Sequence, residues 1–264
     1  MNYEFPLVIF TVLTQFAVGL ALFAAFKSLR CADSTAKECE DISAWRSKDW
    51  FAAFLLAAVG LGASMFHLAQ PLRAAEALSN LSVSWLSREG LAFGVFTVLA
   101  LVNALRENRC LAVLAALCGV AAVVAQGMTY APAAMPAVSN GVPMLLFLLS
   151  ALALGSLAGQ VNGSHDFSTA FRVSCAALMA VLLIVPCLWT SGGAVMQASA
   201  ALWMQSWIFW AGLGLTALAV IISLRSGAEA VMPCLLLTLG GVVLTRIIFF
   251  GGVVHTAVNL GMPY

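Results

Sequence analysis

The sequence predicts an all-α integral membrane protein, a bundle of eight transmembrane helices with both termini outside. Three observations carry this. Of 264 residues 62% are apolar and only 9% charged, with a mean hydropathy of +1.02. The apolar residues gather into eight uncharged or nearly uncharged stretches of about 20 residues, the length that crosses a bilayer. The basic residues sort to alternate connections, as the positive-inside rule requires. Eight such helices use about 160 residues, which leaves no room for a separate soluble domain. Twelve basic and eleven acidic side chains nearly cancel, which excludes the basic footprint of a nucleic-acid binder.

The first stretch, 5–26, follows Met1-Asn2-Tyr3-Glu4 and meets its first lysine only at Lys27. That charge order is not that of a cleavable secretory signal, so the segment is expected to be a retained span. The second covers 50–69. The third, 91–105 by hydropathy, is short and is extended back through Glu89 and Arg88 to 88–105, into the interfacial layer. The fourth, fifth and sixth cover 110–128, 141–161 and 168–188. The seventh is expected at 201–224 and the eighth at 231–254, the last carrying Arg246 within it. No fixed-period repeat is evident. Glycine pairs at Gly60 and Gly62, Gly212 and Gly214, Gly240 and Gly241, and Gly251 and Gly252 are expected to allow close helix approach.

Lys27, Arg30, Lys37, Arg46 and Lys48 flank the first connection, Arg106 and Arg109 the third, Arg172 the fifth and Arg225 the seventh. The opposite side has only Arg73 and Arg88. The odd-numbered loops are therefore expected to face the cytoplasm. Cys110, Cys118, Cys175, Cys187 and Cys234 lie in or beside apolar runs and read as packing residues. Cys31 and Cys39 share a polar loop, at a spacing that fits no paired zinc or iron-sulfur pattern.

Ionisable groups at membrane depth are functional candidates by default. At about 1.5 Å per residue, His67 falls near the outer end of the second span, and Arg88 and Glu89 sit at the mouth of the third. Tyr130 follows the fourth, Arg246 lies roughly 22 Å along the eighth, and His255 is at its outer end. Each has a structural reading too. His67 and His255 suit interfacial hydrogen bonding, Tyr130 suits an aromatic belt, and Glu89 suits a first helical turn capped by Ser87. Arg246 requires a carboxylate, carbonyls or water, with Glu89, Glu76 and Glu4 as the carboxylates at its level; a structural Glu-Arg pair is one reading. Together, a base, a carboxylate, a phenol and a guanidinium at one depth suit a quinol headgroup, which needs partners for two oxygens and acceptors for two protons. With only three histidines, a bis-His haem would have to use His67 and His255. A transporter would require polar groups across the midplane, and ionisable ones are nearly absent there.

The segments FPLVIFTVLTQFAVG (5–19), SMFHLAQPLRA (64–74), SWLSREGL (84–91) and LTRIIFFGGVVHTAVNLGM near the end resemble the membrane anchor subunits of dimethyl sulfoxide reductase, a DmsC-like group related to polysulfide-reductase-type anchors. The resemblance implies that His67 and Glu89 bind and deprotonate menaquinol. It implies that Tyr130 and Arg246 belong to the same site, and that Arg73 supports the pocket or contacts a partner. Arg88 departs from the residue usual before the family's glutamate, which bears on the pocket's potential. The resemblance further implies an anchor in the bacterial cytoplasmic membrane with no haem or metal of its own. It would pass electrons to an iron-sulfur subunit and onward to a molybdopterin catalytic subunit on the outer face. A purely structural anchor and an ion or proton transporter are the other readings. The terminal substrate is not legible in a membrane chain.

Overall fold

The computed structural model describes residues 4–30, 36–66, 68, 70, 76, 78–106, 108–161, 166–226 and 228–257, without the side chains of 36–46 and 228. These residues form nine α-helices in chain order and no strand: α1 (Phe5–Arg30), α2 (Ala36–Met65), α3 (Trp85–Arg106), α4 (Arg109–Thr129), α5 (Val142–Val161), α6 (Ser168–Trp189), α7 (Ala194–Gln205), α8 (Trp207–Arg225) and α9 (Val231–Gly251). All but α7 are long and apolar enough to cross a membrane. Because spans alternate in direction, the starts of α1, α3 and α5 share one face of the bundle with the ends of α4 and α9.

The expected seventh segment, 201–224, differs most. The helix breaks at Ser206, whose backbone is extended, so that α7 is a separate twelve-residue helix and the span begins at Trp207. Aromatic packing across the break accounts for this: Trp203 is fully buried, with its ring 4.9 Å from Trp189 and 5.8 Å from Phe209. The second helix ends at Met65, earlier than the expected 69. The third starts at Trp85, with Ser84 Oγ accepting from Ser87 N–H at 3.3 Å. Ser84, not Ser87, therefore caps it, and Glu89 lies past the first turn. Asn108 caps α4 through its side chain.

Helix α1 is the central post, packed against α2, α4, α5 and α9. Its approach to α5 is close: a Cβ on Gly19 would lie 1.9 Å from Ala151 O, and one on Gly155 would lie 2.2 Å from Gly19 C. Neither glycine belongs to the pairs singled out in the sequence. Of those pairs, Gly212 and Gly241 do face each other across α8 and α9, a Cβ on Gly241 falling 2.8 Å from Gly212 O. Gly62 and Gly214 meet nothing within 4 Å.

At the opposite end from the start of α1, Lys27 Nζ and Asp49 Oδ2 form a buried ion pair at 3.0 Å. Lys27 is thus neutralised inside the bundle and does not act as a free loop charge. The pair ties α1 to α2, and removing one member would leave an uncompensated charge at a cost of about 3–5 kcal/mol. Arg172 joins α6 to α8, its Nε donating to Ser223 Oγ at 3.1 Å and its Nη2 to Ser223 O. Cys175 and Cys234 are buried as expected, whereas Cys110 and Cys187 lie on the outer surface of the bundle.

Candidate functional site

The site lies where α3 begins and α4 and α9 end. Glu89 sits on the same face of α3 as Phe93, Phe96 and Ala100, all turned into the bundle. It is 1% exposed, and neither carboxylate oxygen has a hydrogen-bond partner among the described residues. A carboxylate in that state is costly to bury, and a buried polar group without a partner needs a specific explanation. The polar side chains beside it are Gln126 and Thr129 of α4; Thr129 has committed its only proton elsewhere, whereas Gln126 has committed one of its two amide hydrogens. Thr129 Oγ1 donates to Ala125 O at 3.0 Å, and Gln126 Nε2 donates to Thr14 Oγ1 at 3.3 Å.

Arg246 is 3% exposed in α9. Long helical side chains lean toward their helix's N-terminus, which here points the guanidinium deeper into the bundle, away from the mouth of α3. Its Nη2 donates to Gln15 Oε1 at 2.9 Å and to Ser150 Oγ at 3.2 Å. The guanidinium carbon lies 4.1 Å from the centre of the Phe147 ring, a cation–π contact. The Glu-Arg pair is therefore replaced by amide, hydroxyl and aromatic partners: among the described residues no ion pair involves Arg246. The polar groups also reach deeper than the ionisable residues alone suggested, since Gln15 lies ten residues, about 15 Å, from the start of α1.

Tyr130 closes the C-terminus of α4, its backbone N–H donating to Gln126 O at 3.2 Å. Its ring meets Phe250 edge-on at 5.1 Å and Phe147 at 6.0 Å. The phenol is within electrostatic reach of Glu89, Arg246 and Glu4. It lines a cavity of about 320 Å³ together with Glu4, Thr129, Met135, Phe249 and Phe250, at the small end of the range for ligand pockets. The loop over this face is pinned by Thr256 N–H donating to Ala134 O at 2.9 Å. A second, apolar groove runs along the outer side of α3 past Gly90, Leu91, Gly94 and Val98.

Three of the five expected site residues, Glu89, Tyr130 and Arg246, are thus gathered at one end of the bundle. His67 and Arg73 lie outside the described residues. Arg88 turns away from Glu89, its Nε and Nη2 donating to Leu81 O at 2.8 Å and Ser82 O at 2.6 Å while it stacks over Trp85. His255 Nδ1 accepts from Ala257 N–H at 2.9 Å and serves its own turn. Reading only ionisable groups missed Gln15, Gln126 and Ser150. The signal that would have found them is two amides inside otherwise apolar spans.

A buried carboxylate, a phenol that lines a small cavity and a buried cation lie toward one end of an eight-span protein whose residues 1–240 match the model of the DMSO reductase anchor subunit (DmsC). The chain belongs to the DmsC family. This DmsC-family anchor is 28% identical to the YnfH subunit of an anaerobic dimethyl sulfoxide reductase of Escherichia coli K12, over 98% of each protein. It is 36% identical to the C subunit of the anaerobic dimethyl sulfoxide reductase of Haemophilus influenzae, over 37% of its own length and 33% of that subunit's. It is a multi-pass protein of the bacterial inner membrane and the anchor of a reductase complex that includes catalytic and electron-transfer subunits.

Proposed function

We propose that this anchor is the quinol-oxidising subunit of its complex, taking menaquinol at the Glu89–Tyr130–Arg246 site and passing its electrons to an iron-sulfur partner that serves a molybdopterin subunit. The observation that carries the reading is the buried Glu89 carboxylate, neither oxygen of which has a hydrogen bond among the described residues. A quinol hydroxyl supplies the missing donor. On oxidation a quinol releases two electrons and two protons; Glu89 accepts one proton, and His67 is assigned the other. Tyr130 and the cation of Arg246 favour an oxygen-bearing ring over plain hydrocarbon, while Phe249 and Phe250 form the apolar wall. Arg73 is proposed to support the pocket or its partner contact. The chain supplies proton acceptors and position, and no haem or metal of its own is required.

The charge bias of the loops supports placing both termini, and the Tyr130 loop, outside. An impermeant thiol reagent is then expected to label Asn140→Cys from the periplasmic side, and labelling only from the cytoplasm would reverse the assignment. A passive anchor gives no reason to bury an unpartnered carboxylate. Against a transporter, α1 between Gln15 and Lys27 buries Ala17, Val18, Gly19, Leu20, Ala21, Ala24 and Ala25, an apolar gap between the two polar ends.

In membranes holding the assembled complex, Glu89→Gln is expected to slow quinol-driven electron transfer at least about 100-fold, the range for loss of a catalytic base. Turnover driven by an artificial donor that reduces the partner subunits directly should stay at the wild-type rate. Wild-type quinol-driven rates in the variant would overturn the proposal.

A further inference from the structure

The polar chain that begins at Arg246 has a direction. A guanidinium only donates, so Gln15 must turn its Oε1 to Arg246, 2.9 Å away. That leaves the Gln15 amide nitrogen facing α4, where it donates to Gln126 Oε1 at 2.9 Å. Gln126 is then left with Nε2, which gives one hydrogen to Thr14 Oγ1 at 3.3 Å. Thr14 accepts there because its own proton goes to Phe10 O at 2.7 Å. Each amide is oriented by the one before it, and the first by a permanent charge.

The end of this chain stands beside Glu89. Of its two α4 neighbours, Thr129 has committed its proton to Ala125 O, so the second hydrogen on Gln126 Nε2 is the donor left to that side. Ser150 Oγ likewise donates to Leu146 O at 2.7 Å while accepting from Arg246, so it cannot reverse the order.

We infer that Gln15 is a positioning residue of the quinol site: it relays the fixed charge of Arg246 to Gln126 and holds that amide with its N–H side toward the Glu89 carboxylate. The relay rests on the quinol reading above. It explains why two amides are buried in apolar spans.

Gln15→Glu separates this from a role in merely holding Arg246. The carboxylate it introduces has nearly the shape of the amide and still accepts from Arg246, but it cannot donate to Gln126. Gln126 then turns its nitrogen to α1 and its carbonyl oxygen toward Glu89. Binding of a fluorescent hydroxyquinoline quinol analogue to membranes holding the complex is expected to weaken about tenfold or more in Gln15→Glu. Gln126→Met, which has no N–H to offer, should weaken it similarly. In the Gln126→Met background, Gln15→Glu should add nothing, a non-additivity that marks action through one residue.

Wild-type affinity in Gln15→Glu overturns the relay while leaving the quinol site standing, as does an equal loss with and without Gln126. If Gln15→Glu fails to accumulate, Gln126→Met alone decides: unchanged affinity overturns the relay. No saturable binding in the wild-type complex overturns both the relay and the quinol reading.

Discussion

Gly155→Ala is expected to cost this anchor about 3 kcal/mol or more of stability, at the upper end for inserting a methyl into a packed interior. A Cβ on Gly155 would lie 2.2 Å from Gly19 C, 2.4 Å from Gly19 O and 2.5 Å from Gly19 Cα, all backbone atoms that no rotamer change can move. Helices α1 and α5 must separate. Because α1 also packs against α2, α4 and α9, the displacement spreads to the post that carries Thr14 and Gln15. Gly19→Ala, with its Cβ 1.9 Å from Ala151 O, should behave in the same way. Gly62→Ala and Gly214→Ala, whose added methyls meet nothing within 4 Å, are the matched controls and should be neutral within about 0.5 kcal/mol. Denaturant unfolding in detergent, or the fraction of folded chain recovered from membranes, measures the difference. Equal stability of Gly155→Ala and Gly214→Ala would contradict the packing described for α1 and α5.

The contrast among these glycines marks the boundary of what the sequence discloses. Eight spans were legible because hydropathy and length are properties of one segment at a time. Which glycine meets a neighbour depends on rotation about two helix axes, so adjacent pairs such as Gly212 and Gly214 drew notice while the isolated Gly19 and Gly155 did not. The break at Ser206 was hidden for the same reason: 194–224 is apolar on both sides of it, and Trp203 selects the break by finding Trp189 and Phe209.

The site was legible through its expense. Glu89 and Arg246 stand out because ionised side chains are rare at membrane depth, and depth counting put Tyr130 beside them. Their partners were not legible. Depth alone suggests that Glu89 and Arg246 pair, yet the backward lean of a helical side chain carries the guanidinium to Gln15, Ser150 and Phe147 instead. What this leaves at Glu89 is a buried carboxylate with no hydrogen bond among the described residues.

That unmet acceptor sets the second large effect. If a quinol hydroxyl is the partner of Glu89, the interaction is a charge-assisted hydrogen bond in a site of low polarity, among the stronger contacts a protein makes. Glu89→Gln keeps the shape and removes the charge, so the bond becomes a neutral one and proton acceptance is lost. The deciding measurement is the titration of a fluorescent hydroxyquinoline quinol analogue into membranes holding the assembled complex, wild type against Glu89→Gln. Saturable binding in the wild type that weakens at least about tenfold in the variant, about 1.4 kcal/mol, is the predicted result. No saturable binding in the wild type, or the same affinity in both, would contradict a quinol site at Glu89.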